Sequence, residues 1–113
     1  MIKQNYYQNA RENEEVFRNI LNDMKLHREN RPLGFYIPVD LDVDLPIDDL
    51  FLKYSEGQRM RKFTILNFTR LGDIATLSFQ DVAPLSGGGT ELEYLVKPDN
   101  SVEFKKNGSV WMS

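Results

Sequence analysis

The chain has no cysteine among its 113 residues. Disulfide scaffolds, thiol catalysis and cysteine-ligated zinc are therefore excluded, and the composition is compatible with a reducing cytoplasm. Histidine occurs once, at His27, and tryptophan once, at Trp111. No apolar run approaches the roughly 20 residues that span a bilayer, so no membrane partner is expected. The polar start, MIKQNYYQNARENEE, lacks the apolar stretch of a signal peptide. A basic excess is missing too. The formal charge is −3, and nucleic-acid binding needs a basic face to neutralise phosphates. No sequence box for a metal, nucleotide or other cofactor is present, so no cofactor is expected.

What is there describes a folded domain. Apolar residues make up 41% of the chain and charged residues 27%, ordinary values for a globular protein. Seven Phe and five Tyr argue against disorder. At this length one domain, 1–113, is expected, burying about 65% of the unfolded surface.

Residues 2 to about 28 read as one long helix. Ile2, Tyr6, Ala10, Phe17, Ile20, Leu21 and Met24 recur at three- and four-residue spacing. A polar island, Arg11 to Glu15, marks the one place for a break. Pro32 lies beyond its end. In PVDLDVDLP, Val39, Leu41, Val43 and Leu45 alternate with Asp40, Asp42 and Asp44, as in an edge strand or an extended loop between two prolines. A short helix follows, with Asp48 and Asp49 at its positive end, Ile47, Leu50, Phe51 and Tyr54 as its apolar stripe, and Gly57 as its stop. From Lys62 onward, alternating runs are punctuated by turn residues: KFTILNFT, IATLSFQ, TELEYLV, VEFKK and SVWMS, separated by RLGD, APLSGGG, KPDNS and NG. Connections this short require antiparallel pairing. The expected fold is α+β: a long N-terminal helix plus a short helix packed on a curved antiparallel sheet of about four to six strands.

The helix order and the ending YLVKPDNSVEFKKNGSVWMS together resemble the cystatin-like folds, including small members of the nuclear transport factor two-like superfamily. There a strand, a polar turn and a final strand close the sheet. The resemblance covers roughly the last fifty residues and implies a sheet wrapped around a helix, with a cavity that in some members is enzymatic.

Candidate functional residues are few. Five acids lie between Asp40 and Asp49 with no base among them. They suit a hard cation, a basic partner or plain solvation. The start Asp40-Leu41-Asp42-Val43-Asp44 matches the opening of an EF-hand loop, but Leu45 stands where glycine is needed and Phe51 where the bidentate glutamate is needed. The basic stretch Lys53, Arg59, Arg61, Lys62 and Arg70 suits an anionic partner or solvent. His27 is the sole candidate for acid–base chemistry near neutrality. In FTILNF, Phe63 and Ile65 alternate to one face and Leu66 and Phe68 to the other, which with Leu95 suggests a second apolar sheet face.

The leading expectation is a non-enzymatic binding domain that self-associates through its sheet, by Leu66, Phe68 and Leu95, or through the acidic edge, by Asp40, Asp42 and Asp44. A homodimer or another protein is the expected partner. The alternatives are a cavity-type enzyme or small-ligand binder using His27 and one carboxylate, and a metal-dependent module using the three aspartates.

Overall fold

The computed structural model describes residues 2–28, 37–38, 40–54, 63–83 and 86–112, with side chains over 7–28, 37–38, 40–54, 63–80 and 89–106. Among the described residues, three helices precede four strands: α1 Ile2–Glu12, α2 Glu14–Leu26, α3 Ile47–Tyr54, β1 Phe63–Leu71, β2 Ile74–Ala83, β3 Ser86–Val96 and β4 Val102–Met112. The strands form one antiparallel sheet in the order β1-β2-β3-β4. The α+β class and the antiparallel sheet are those expected. Gly57, Pro32, Val39, Arg59, Arg61 and Lys62 lie outside the described residues.

The expected single N-terminal helix is two. Asn13 leaves the helical region, at φ −128° and ψ 44°, within the polar island. Its N–H still donates to the Asn9 carbonyl (3.0 Å), and its own carbonyl accepts from Phe17 N–H (2.9 Å). Its side-chain amide also donates to the Asn9 carbonyl (3.0 Å). A short amide side chain that competes for helix carbonyls is a known source of such breaks. α2 stops at His27, whose N–H bonds the Asp23 carbonyl at 3.0 Å. Its predicted stripe, Phe17, Ile20, Leu21 and Met24, is fully buried.

The five expected strand segments become four. VEFKK and SVWM are one continuous strand, and Asn107 and Gly108 pair with Leu92 and Glu91 instead of turning. A partner exists for this extension because β3 is longer than TELEYLV. The SGGG of the supposed loop belongs to β3, with Gly87, Gly88 and Gly89 opposite Val82, Asp81 and Gln80. A local Asn-Gly signal cannot close a hairpin where a neighbouring strand offers its full length. β4 absorbs the strain with register shifts beside Gly89/Thr90 and Glu93/Tyr94.

Two turns follow their chemistry. Leu71 faces Ile74 across Gly72-Asp73, and Gly72 takes φ +64°, the left-handed first position of a two-residue hairpin. Between β3 and β4, Asn100 takes φ 69°, with Asn100 N–H on the Lys97 carbonyl (2.8 Å) and Lys97 N–H on the Ser101 carbonyl (2.9 Å). Asp99 accepts from Ser101 N–H (3.0 Å) and hydroxyl (2.6 Å), which hold its carboxyl below the ordinary range.

The largest departure is a β-bulge. Ile65 pairs with Phe79 but Asn67 pairs with Ser78, leaving Leu66 as an extra residue. The bulge resets the alternation. Phe63, Ile65 and Phe68 share the helix-covered face with Ala75, Leu77, Phe79, Leu92 and Tyr94, all at most 1% exposed. Phe68 is therefore not an outward-facing residue as expected; its ring meets Phe17 edge-on at 5.1 Å. Phe17 in turn stacks on Phe51 at 5.4 Å, which ties α2, α3 and β1 together.

Replacing Phe68 with Ala should cost about 3–5 kcal/mol, the usual range for a buried phenylalanine. Leu71→Ala, at a side chain 79% exposed, should change stability by less than about 0.5 kcal/mol. Urea unfolding of both variants checks this. A reversed order would mean that the bulge does not put Phe68 inside.

Candidate functional site

Glu15, Asn19, Asp23 and His27 recur every four residues and so share one side of α2. This row lies along the β3–β4 hairpin. Asn100 donates its side-chain amide to Glu15 (2.8 Å), and Asn19 donates to the Asn100 carbonyl (2.7 Å). One turn further on, the buried Tyr94 donates its hydroxyl to Asp23 Oδ2 at 2.7 Å. The other oxygen of Asp23 lies 3.6 Å from His27 Nε2, with side-chain exposures of 16% and 44%. His27, the catalytic candidate, thus stands beside a mostly shielded carboxylate and a buried phenol. At 3.6 Å the imidazole and carboxylate are in ion-pairing range and beyond hydrogen-bond length. The Tyr94–Asp23 bond fastens the end of α2 to β3 and leaves the His27 Nε2 edge beside the carboxylate. The signal in the sequence was the four-residue step from Asp23 to His27; Tyr94 could be added only once β3 was placed.

The acidic segment is a loop rather than an edge strand. Asp40, Asp42 and Asp44 are exposed, Leu41 is buried, and Val43 and Leu45 pack against the core. Asp42 accepts from the Asp44 N–H at 3.0 Å, a local turn. Arg18 secures the loop to α2: its Nη1 donates to the carbonyls of Val43 (2.5 Å) and Leu45 (2.6 Å), while Nε and Nη2 donate to Glu14. Sequence reasoning missed Arg18 because its acceptors are main-chain carbonyls, which carry no residue signature. Among the described residues, no three His, Cys, Asp or Glu side chains converge as metal ligands would.

Asp48, in the first turn of α3, accepts from the Tyr7 hydroxyl and from Arg11 Nη2. Arg11 also lies over the Tyr7 ring, 5.2 Å from its centroid. This clip joins α1 to α3. The Tyr7 hydrogen bond, then that of Arg11, lowers the Asp48 pKa. The same bond to Asp48 raises the Tyr7 pKa above 10.0. Of the basic stretch, Arg70 bonds Asn13 (3.2 Å) and the Gly72 carbonyl (3.1 Å), and Lys53 lies over the Tyr54 ring.

The face of the sheet opposite the helices carries Asn67, Thr69, Leu71, Ile74, Thr76, Glu93, Leu95, Glu103 and Lys106 by register. Leu71, Ile74 and Leu95 are cross-strand neighbours there, Leu71 exposed and the other two half-buried. Leu66 is half-buried at the bulge. Leu66 and Leu95 therefore stand away from the core, and Phe68 does not join them.

The chain matches no family model, no curated protein and no solved structure. Among the described residues, no helix is long and apolar enough to cross a membrane.

Removing the Tyr94 hydroxyl in Tyr94→Phe should cost about 1 kcal/mol, or up to about 3 if it strands the shielded Asp23 charge. In an Asp23→Asn background the cost should shrink, as a thermal double-mutant cycle would show. The clip has its own pH signature. Asp48 titrates below its ordinary 3.8 when folded, so its contribution is present above that value and lost as acid protonates it. Tyr7 titrates above 10.0 when folded, so its contribution is present below that value and lost in alkali. The difference in Tm between the wild type and Asp48→Asn should therefore be largest near neutrality and should fall toward zero at both extremes. A difference that does not vary with pH would sink the assignment.

Proposed function

We propose that this chain is a non-enzymatic binding domain that self-associates through the helix-free face of its sheet. The supporting observation is the patch Leu71, Ile74 and Leu95 on that face, with Leu71 79% exposed. Contiguous apolar patches on a sheet face are a recurrent mark of association surfaces. Around the patch stand Thr69, Thr76, Glu93, Glu103 and Lys106, carrying charges of both signs on one surface. Such a surface is complementary to itself under a two-fold axis, the commonest symmetry of soluble oligomers. The edges are less suited. Asn9 of α1 occupies a main-chain acceptor of β1, and β4 carries Lys105 and Lys106 and two register shifts, devices that discourage edge pairing.

A second reading rests on the cluster of Asp23, His27 and Tyr94. A cystatin-like cavity domain that binds a small ligand, or acts on one, would use a histidine oriented by a carboxylate against the sheet. Here His27 would be the acid–base group and Asp23 its positioning partner.

Sedimentation velocity at micromolar concentration distinguishes the readings. The self-association reading expects a dimer that Leu71→Asp dissociates, since a buried unpaired carboxylate opposes association. A monomer at every concentration, or a dimer indifferent to Leu71→Asp, would overturn it and leave the small-ligand reading in front.

A further inference from the structure

The free edge of β1 is occupied by its own helix. Leu71 and Ile74 close a two-residue hairpin, and such a closing pair exchanges both of its main-chain hydrogen bonds. Bonded and non-bonded pairs then alternate, so Thr69 and Asn67 bond inward to β2, while Phe68 and Arg70 direct N–H and C=O outward. These outward groups are where another strand would attach. At Phe68 both are already satisfied, and by side chains. The N–H donates to Asn67 Oδ1 (2.9 Å), and the C=O accepts from Asn9 Nδ2 of α1 (3.0 Å). Two residues on, Arg70 is held by Asn13, at the junction of α1 and α2 (3.2 Å).

Over its described side chains, residues 7–12, the hold of α1 on this edge is mostly polar. Among the α1 side chains described, only Ala10 is fully buried. Tyr7 is half-buried against Phe51, with ring centroids 4.6 Å apart. The clip to Asp48 is open to solvent, at 48% exposure for Arg11 and 58% for Asp48, and exposed ion pairs contribute little. Segments with few buried apolar contacts open separately from the rest of a fold. Asn13 supplies the joint, since its backbone is already non-helical.

We propose that α1 is a releasable guard: when it lifts about Asn13, the edge of β1 pairs with β1 of a second copy. A two-fold axis through Phe68 lets the two Phe68 residues exchange both main-chain hydrogen bonds, replacing the caps from Asn67 and Asn9. It sets Arg70 opposite the partner's bulged Leu66 and keeps the two Arg70 charges apart. The result is one continuous eight-strand sheet. This surface is distinct from the helix-free face, so either can fail alone.

The test uses the full chain with Leu71→Asp, which silences the face. In that background, Asn9→Ala with Asp48→Asn releases the guard. At a concentration low enough to keep the chain monomeric, hydrogen exchange should quicken at least tenfold at the Phe68 and Arg70 amides, with Leu77 and Leu92 unchanged. At tens of micromolar, sedimentation equilibrium should show a dimer, in which those two amides are protected again. Adding Arg70→Pro should return the monomer, because that N–H lies outside the ladder to β2 and is needed only between copies. The idea is overturned if the β2 and β3 amides quicken together with Phe68, if the released chain stays monomeric, or if its dimer survives Arg70→Pro. Wild-type exchange on warming gives an independent reading: Phe68 should open before Leu77, and simultaneous opening counts against a separable guard.

Discussion

One extra residue in β1 determines which side chains form the interior. Without the bulge at Leu66, strict alternation would place Phe63 and Ile65 on one face and Phe68 on the other. With it, all three rings and branches point toward the helices, and Phe68 completes an aromatic contact through Phe17 to Phe51. Each fully buried side chain of this size contributes about 1.5–3 kcal/mol. The bulge therefore turns a strand with two half-apolar faces into one that commits its largest groups to a single core. Among the described side chains, the opposite face is polar apart from Leu66 at the bulge and the leucine and isoleucine cluster at its hairpin end.

Asparagines do much of the joining between layers. Asn9 and Asn13 connect α1 to β1, and Asn19 and Asn100 connect α2 to the β3–β4 turn. An amide donates and accepts at once, so it can satisfy main-chain groups that regular elements leave over. At the Asn100 turn the same residue also takes the left-handed backbone that closes the hairpin. The Asn9 and Asn19 bonds run from side chain to main chain and carry no charge, while Asn13 accepts from the charged Arg70 guanidinium. They fix orientation at modest energy, about 1 kcal/mol each, and leave the aromatic core to supply most of the cohesion.

Where one rule dominated, the sequence was readable. The stripe of α2, the α3 helix with its acidic first turn, and the alternation of Leu92, Tyr94 and Val96 each follow from a single period, and the structure has all three. Where two rules competed, the local one lost. Asn107-Gly108 is a strong turn dipeptide, yet the length of β3 gave it strand partners. The Gly-rich run suggested a loop, yet Gly87, Gly88 and Gly89 pair with β2 because the neighbouring strand outweighs glycine's cost in a strand. The bulge left no mark, because an inserted Leu in FTILNF looks like one more apolar residue. The cluster around His27 was not read: Asp23 lies one helical turn away and could have been named, but Tyr94 is 71 residues from Asp23 and only the sheet brings it there.

The surface follows from the same choices. An antiparallel meander covered by helices on one side has two edges and one face left for partners. The asparagine caps and lysines cover the edges unequally. β4 is guarded by its own charges and register shifts, which no motion removes without unfolding the strand. β1 is guarded by a separate element tethered at Asn13, so its protection is an equilibrium with a free energy of its own. On the readings proposed here, the face and the edge are separate surfaces, and the weaker guard is the one that conditions can shift. The Tyr7–Asp48–Arg11 clip joins that weaker guard to α3, on the helix side of the sheet, so it bears on the edge and not on the opposite face.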